Sequence, residues 1–243
     1  MHDRGRPSGV PPHPVSVDAT ASAAAGIVRV CRRLYGAGLI AGQDGNVSVR
    51  LPSGHLLVTP AGFCKVDVEE ADLVTLDLQG RQVSGAGRAS SEIGMHLRIY
   101  QRRADVHAVV HAHPPVATGF GVAGMDLMDD VLPEAIFLLG GVPLVPYAMP
   151  GTTALGDALE PFLPHHDGFL LANHGATTVG STLVQAHQRM ESLEHAARIM
   201  LTARSLGTVN ALAPTDALAL RAARAAALQV SQQQTKTRSH ESE

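Results

Sequence analysis

Cysteine is scarce in this chain, and lysine equally so. Cys31 and Cys64 are the only thiols and lack a Cys-x-x-Cys spacing, which excludes a disulfide framework and a cysteine metal site and fits a reducing cytoplasm. Lys65 and Lys236 are the only lysines, and Lys236 lies in a polar C-terminal run, so nothing marks a Schiff-base lysine. The formal net charge is -3, with the basic residues scattered. That leaves no basic face for nucleic acid and no polybasic patch for a membrane. No stretch reaches the roughly 18 apolar residues of a membrane-spanning helix. Residues 1–18 lack the apolar core of a signal peptide, and no period marks an internal repeat.

What remains fits one domain, with 45% apolar residues available for a core. Residues 1–18 carry Pro7, Pro11, Pro12 and Pro14, and residues 231–243 are a polar run. Both read as disordered tails around a domain spanning 19–230. Inside it, 21–35 reads as a helix with apolar Ile27, Val28, Val30, Cys31 and Leu34, stopped by Gly36 and Gly38. Hairpin-like pairs follow at 46–50 with 55–59 and at 73–77 with 82–83. Residues 91–101 read as a helix capped by Ser90 or Ser91. Strands are expected at 109–113, 135–139, 143–147 and 168–173, and helices at 152–162 and 181–203. On the last, His187 and His195 are read as solvated or interface residues. The mixture predicts an α/β fold, a three-layer α/β/α sandwich with a mostly antiparallel or mixed central sheet.

The most informative motif is His111-Ala112-His113, at the end of a strand-like run. Strand side chains alternate, so both imidazoles project to one side, within reach of one small cation. His107 shares that face, but four residues at about 3.3 Å each place it too far away. Two polar residues at a strand end are the plain alternative. His174, which ends an apolar run just before Gly175, is a third candidate, with a hydrogen-bonded core histidine as its alternative. Glu92 is the fourth, at a helix start where a glutamate also serves simply as partner to the helix dipole. Three neutral imidazoles and a carboxylate satisfy the four-coordinate preference of Zn²⁺, and a carboxylate that can leave a metal is also a general base. His96 shares Glu92's helix face and is expected to pack or hydrogen-bond there. His165 and His166 fall in a polar loop. Gly45-Asn46 in a glycine-rich turn and Ser90-Ser91 at a helix start offer N–H and hydroxyl groups to an anion, although each alone is an ordinary turn or cap. With the metal constellation they point to a small phosphorylated substrate whose other end reaches the cation.

Gly45-Asn46-Val47-Ser48, Thr59-Pro60-Ala61-Gly62, Ser90-Ser91-Glu92, His111-Ala112-His113 and Asn173-His174-Gly175, in this order and spacing, resemble the class II aldolase/adducin family. The similarity runs over residues 21–206, and the chain resembles the L-fuculose-phosphate aldolases in particular. The resemblance implies an α/β/α fold, a C4 homotetramer with active sites near subunit interfaces, and a sugar-phosphate substrate. It also implies Zn²⁺, or another divalent cation, held by His111, His113, His174 and Glu92. Glu92 would double as catalytic acid/base, and Gly45, Asn46, Gly62, Ser90 and Ser91 would hold the phosphate. The implied reaction is reversible retro-aldol cleavage of a ketose 1-phosphate to dihydroxyacetone phosphate and a short aldehyde. Siblings of the family are 4-epimerases, decarboxylases and dehydratases, together with adducin-like binding proteins that lack the zinc histidines. Related 4-epimerases carry aspartate in place of Glu92, which favours aldol chemistry here.

Two departures matter. Ala61 stands where the fuculose-phosphate enzymes have a hydroxyl residue, so one phosphate contact is missing. Glu134 falls where they present a tyrosine proton donor from the adjacent subunit. The aldehyde portion would be chosen by loop residues around 121–133 and by the C-terminal segment.

Overall fold

In a computed structural model the backbone is described for residues 15–240 and the side chains for 19–229. The ends of the expected tails, 1–14 and 241–243, lie outside the described residues. Helix α1 (Val15–Gly36) already starts within the N-terminal stretch read as tail. Eight strands form one sheet: β1 (Asn46–Arg50), β2 (Leu56–Val58), β3 (Val74–Leu76), β4 (Gln82–Ser84), β5 (Ala108–Ala112), β6 (Leu144–Val145), β7 (Gly168–Leu171) and β8 (Gly175–Gly180). Their order is β4-β3-β2-β1-β5-β8-β7-β6. Only β6 and β7 pair in parallel; the other neighbours are antiparallel. The sheet is therefore mixed and mostly antiparallel, as the short hairpin connections predict.

Alternation along β5 divides the core into two layers. Ala108, Val110 and Ala112 join the cluster beneath α1, α3 (Pro115–Val122) and α6 (Leu183–Leu206). Val109 faces the other way, into the cluster of α2 (Ile93–Arg102) and α5 (Thr153–Leu159) with Met95, Ile99, Tyr100 and Leu155. His111 belongs to the Val109 side by the same period of two. The apolar pattern thus decides which helix layer meets the histidines.

Four elements depart from the sequence reading. Residues 135–139 form not a strand but most of helix α4 (Pro133–Leu139), because Pro133 preorganises the first turn and Gly140, at φ 75°, provides the left-handed stop. β8 and α3 are absent from that reading; β8 is built from Gly, Ala and Thr with a single Val and so carries no apolar run. Helix α7 (Pro214–His240) is likewise absent from that reading; it runs on through residues 231–240, read as tail, and packs against α4.

Asp167, 3% exposed, fastens this arrangement. Its carboxylate accepts from Arg103 at 2.9 Å, Arg189 at 2.8 Å and Arg224 at 2.5 Å, tying the end of α2, the first half of α6 and the middle of α7 to the start of β7. Asp167→Ala leaves buried guanidinium groups without their carboxylate. It is expected to destabilise the fold by about 3–5 kcal/mol, read by urea unfolding; a loss below about 1 kcal/mol would contradict that anchoring role.

Candidate active site

Three strands bring the histidines together. Asn46 is the direct cross-strand partner of His111 on one side of β5, and Thr177 is its partner on the other. The turn between β7 and β8 is Ala172-Asn173-His174, closed by His174 N–H donating to the Leu171 carbonyl. Asn173, at φ 56°, is the only non-glycine in the left-handed region among the described residues. Asn tolerates that conformation better than most residues, and its use here returns His174 towards β5. Gly45 and Gly175 are demanded by close approach. A Cβ on Gly45 would lie 2.7 Å from the His111 carbonyl oxygen, and one on Gly175 would lie 2.6 Å from the Ala112 carbonyl oxygen.

The side chains of His111, His113 and His174 offer ligand atoms all within 4.8 Å of one another. The Nε2 atoms of His111 and His113 are 3.1 Å apart. Glu92 closes the group, with Oε2 3.2 Å from His111 Nε2 and Oε1 2.8 Å from His174 Nε2. Ligand atoms at 2.0–2.1 Å from one tetrahedral Zn²⁺ stand roughly 3.3 Å apart. The spacing and the three-nitrogen, one-carboxylate chemistry therefore fit a divalent cation. Two rings are oriented from behind: His111 Nδ1 lies 2.9 Å from the Ala176 carbonyl and 3.1 Å from Thr177 Oγ1, and His113 Nδ1 lies 3.5 Å from Asp44. Such partners turn the other nitrogen to the centre. Asp44 and Thr177 are not among the sequence candidates. Asp44 was within reach as the neighbour of Gly45-Asn46, whereas Thr177 emerges only from the register of a strand with no sequence signal.

Burial pushes the Glu92 carboxyl up, but His111 and His174 outweigh it and hold the group well below the usual carboxylate range. Burial, with His111 beside it, pushes His113 down to about 4, which keeps it neutral, as a ligand must be. Glu92 occupies the position before α2, with no side-chain cap. The cap expected from Ser90 or Ser91 is thus not formed; Ser90 Oγ instead accepts from Glu92 N–H at 3.4 Å.

The anion candidates lie against this cluster. Asn46 Nδ2 donates to Glu92 Oε2 at 2.8 Å and to Ser90 Oγ at 3.2 Å, and its Oδ1 is buried without a partner. The segment bearing Gly62 is tied to the one bearing Ser90 and Ser91 through Ala61 N–H to the Arg88 carbonyl at 2.8 Å. Ser91 packs beside Gly151.

His96 is no ligand: it is buried, with Nδ1 2.7 Å from Ser48 Oγ, which also meets Tyr100 Oη at 2.9 Å. His166 reaches the Gly141 carbonyl, and His107 the Asp105 carbonyl. His195 is exposed, but His187 is 2% exposed and faces Glu191, so it is not solvated. Glu134 is exposed in the first turn of α4 and touches none of the cluster in this chain.

Residues 25–201 match the class II aldolase and adducin N-terminal domain. The chain belongs to the class II aldolase and adducin family. It is 33% identical over 189 residues to 3-oxo-tetronate 4-phosphate decarboxylase of Pectobacterium atrosepticum, covering 76% of this chain and 86% of that protein. It is 32% identical over 172 residues to L-fuculose phosphate aldolase of Methanococcus maripaludis C7, covering 71% and 92%. Among solved structures, Escherichia coli YgbL, described as an aldolase, epimerase or decarboxylase, superposes with a TM-score of 0.78 at 30% identity, covering 83% and 99%. The histidine cluster thus sits in a family whose class II aldolases are metal-dependent enzymes.

Two measurements check the site. Elemental analysis is expected to find about one divalent ion per chain, lost in His113→Ala, whose partly exposed side chain makes that substitution mild for the fold. The second concerns His96, pushed down from 6.5 to about 3 by burial and then by His111. Between those values the unfolded chain binds a proton that the folded chain refuses. Stability is therefore full above pH 6.5 and falls as pH drops through it. In the metal-free chain His96→Leu should remove about 1.4 kcal/mol per pH unit from that slope in urea unfolding below 6.5; an unaltered slope refutes the assignment.

Proposed function

We propose that the protein is a metal-dependent carbon–carbon lyase acting on a sugar phosphate, with reversible retro-aldol cleavage of a ketose 1-phosphate as its reaction. The observation that carries this reading is Glu92, whose carboxylate lies between His111 and His174 while Asn46 holds it from the anion side. His111, His113, His174 and Glu92 would hold the cation, with Zn²⁺ as the best fit to the donor set. When bound, the cation supplies Lewis-acid polarisation of a substrate carbonyl.

The chain's own groups do the rest. Asn46, Ser90, Ser91 and the turns at Gly45 and Gly62 would hold the phosphate and fix the reacting carbon beside Glu92. Cleavage leaves an electron pair on the carbon next to the carbonyl, and Glu92 delivers a proton there; in condensation it removes that proton. Retro-aldol cleavage also requires removal of a hydroxyl proton from the leaving carbon. Glu134 of a neighbouring subunit is the candidate for that transfer, because it is exposed and has no ion-pair partner among the described residues. Apolar Phe137 and Leu138 are exposed on the same helix, and Tyr147 and Met149 in the loop after β6, which supports the homotetramer that the resemblance implies.

Decarboxylation of a 3-oxo sugar acid phosphate is the second reading. The identity to the Pectobacterium decarboxylase favours it, and so does the proton inventory, since loss of CO₂ needs only the one delivery that Glu92 supplies. Both reactions break a bond next to a carbonyl and use the same four ligands. Assays for dihydroxyacetone phosphate released from ketose 1-phosphates and for CO₂ released from 3-oxo acid phosphates distinguish them. Glu92→Gln is expected to lower the active reaction by about 10²–10⁴-fold. Turnover unchanged by that substitution would place the base elsewhere, and metal-loaded protein inert to both substrate classes would favour a binding role.

A further inference from the structure

Lys65 is buried to 2% exposure, an unusual place for an ammonium. Its Nζ donates to two backbone carbonyls, Gln43 and Phe63, each at 2.9 Å. Among the described residues no carboxylate makes an ion pair with it. The charged and titratable groups that reach it through space are Cys31, Cys64, Asp44 and Glu92. Two carbonyl dipoles do not neutralise a full charge, and a desolvated, unpaired cation is costly.

The place of this charge gives it a use. Gln43 lies two residues before Gly45, and Phe63 directly follows Gly62, so Lys65 binds together the two glycine turns of the anion site. The second of these turns is tied in turn to the segment of Ser90 and Ser91 through the Pro60–Ala89 bridge and the Ala61–Arg88 hydrogen bond. Ala61 offers an anion no side-chain donor, and Arg88, whose carbonyl accepts from Ala61 N–H, is exposed.

We propose that Lys65 is the buried positive charge of the anion site, a positioning residue that holds turns 43–45 and 61–63 and attracts a phosphate monoester through its field, in place of a hydroxyl at Ala61. This rests on the phosphate reading above. Lys65 does not touch the substrate. Its charge is retained because a bound dianion offsets the desolvation that the empty turns do not.

The scarcity of lysine makes the test direct. In the zinc-loaded full chain labelled with ε-¹³C-lysine, only Lys65 and Lys236 give signals, and Lys236→Arg assigns them. Inorganic phosphate, titrated at constant ionic strength, is expected to move the Lys65 signal and raise its pKa while leaving Lys236 unchanged. By calorimetry, Lys65→Met should bind phosphate at least tenfold more weakly, and its melting temperature in phosphate-free buffer should stay level or rise, because an unpaired buried charge has been removed. Phosphate that saturates the wild type without moving the Lys65 signal makes Lys65 a loop clamp and overturns the proposal, as does undiminished binding in Lys65→Met. A zinc-loaded wild type that binds no phosphate instead overturns the phosphate reading on which the proposal rests.

Discussion

The register that sets Asn46 opposite His111 on one side of β5 and Thr177 opposite it on the other is the constraint on which the site depends. Strand side chains have period two, so a slip of one residue would turn His111 and His113 to the opposite face. What prevents it is apolar. Val110 and Ala112 are needed by the core beneath α1, α3 and α6, while Val109 is needed by the core of α2 and α5. Burial on both faces therefore fixes the histidines on the α2 side, where Glu92 precedes the first turn of the helix.

Local strain completes what the register begins. The left-handed Asn173 and the crowded Gly45 and Gly175 allow β1, β5 and the β7–β8 turn to close on one another. Each would tolerate few other residues, and each adjoins a residue of the cluster, Asn173 and Gly175 flanking His174 and Gly45 lying against the His111 carbonyl. The electrostatics follow the same economy: the cluster gathers three histidines and one glutamate, and the structure keeps His113 neutral and Glu92 ionised. Far from it, Asp167 gathers three arginines and fixes the helices that frame the sheet.

His111, His113 and His174 were legible because a strand-end histidine is visible against an apolar run, and Glu92 because it stands at a helix start. The hairpins before β5 were legible for the same reason, their glycine and proline turns standing between apolar strands. β8 was not, since its Gly, Ala and Thr residues give no period. Residues 135–139 read as a strand because an apolar pentapeptide has no period of its own, and only Pro133 and Gly140 mark it as helix. The long α7 went unread although Pro214 and the Ala- and Leu-rich run after it carry a helix signal; polar composition hides only its last ten residues. Lys65 could not be recognised at all: its setting is made by two backbone carbonyls and by burial, neither of which leaves a trace in residue identity.

Asn46 links the two ends of the proposed substrate site. Its amide has two N–H groups, and both are engaged, one with Glu92 Oε2 and one with Ser90 Oγ. A phosphate that accepts from Asn46 must take one of them, and Ser90 is itself a phosphate candidate whose hydroxyl would turn to the same anion. On the proposed reading the amide would then shift towards the phosphate and loosen its hold on Glu92. On the proposed mechanism that loosening matters, because Glu92 would serve first as a ligand and then as the group that carries a proton. Linkage makes the effect reciprocal: what phosphate does to Glu92, release of Glu92 does to phosphate affinity. On that mechanism, binding energy from the non-reacting end of the substrate would be directed to the one carboxylate whose freedom the proposed chemistry requires.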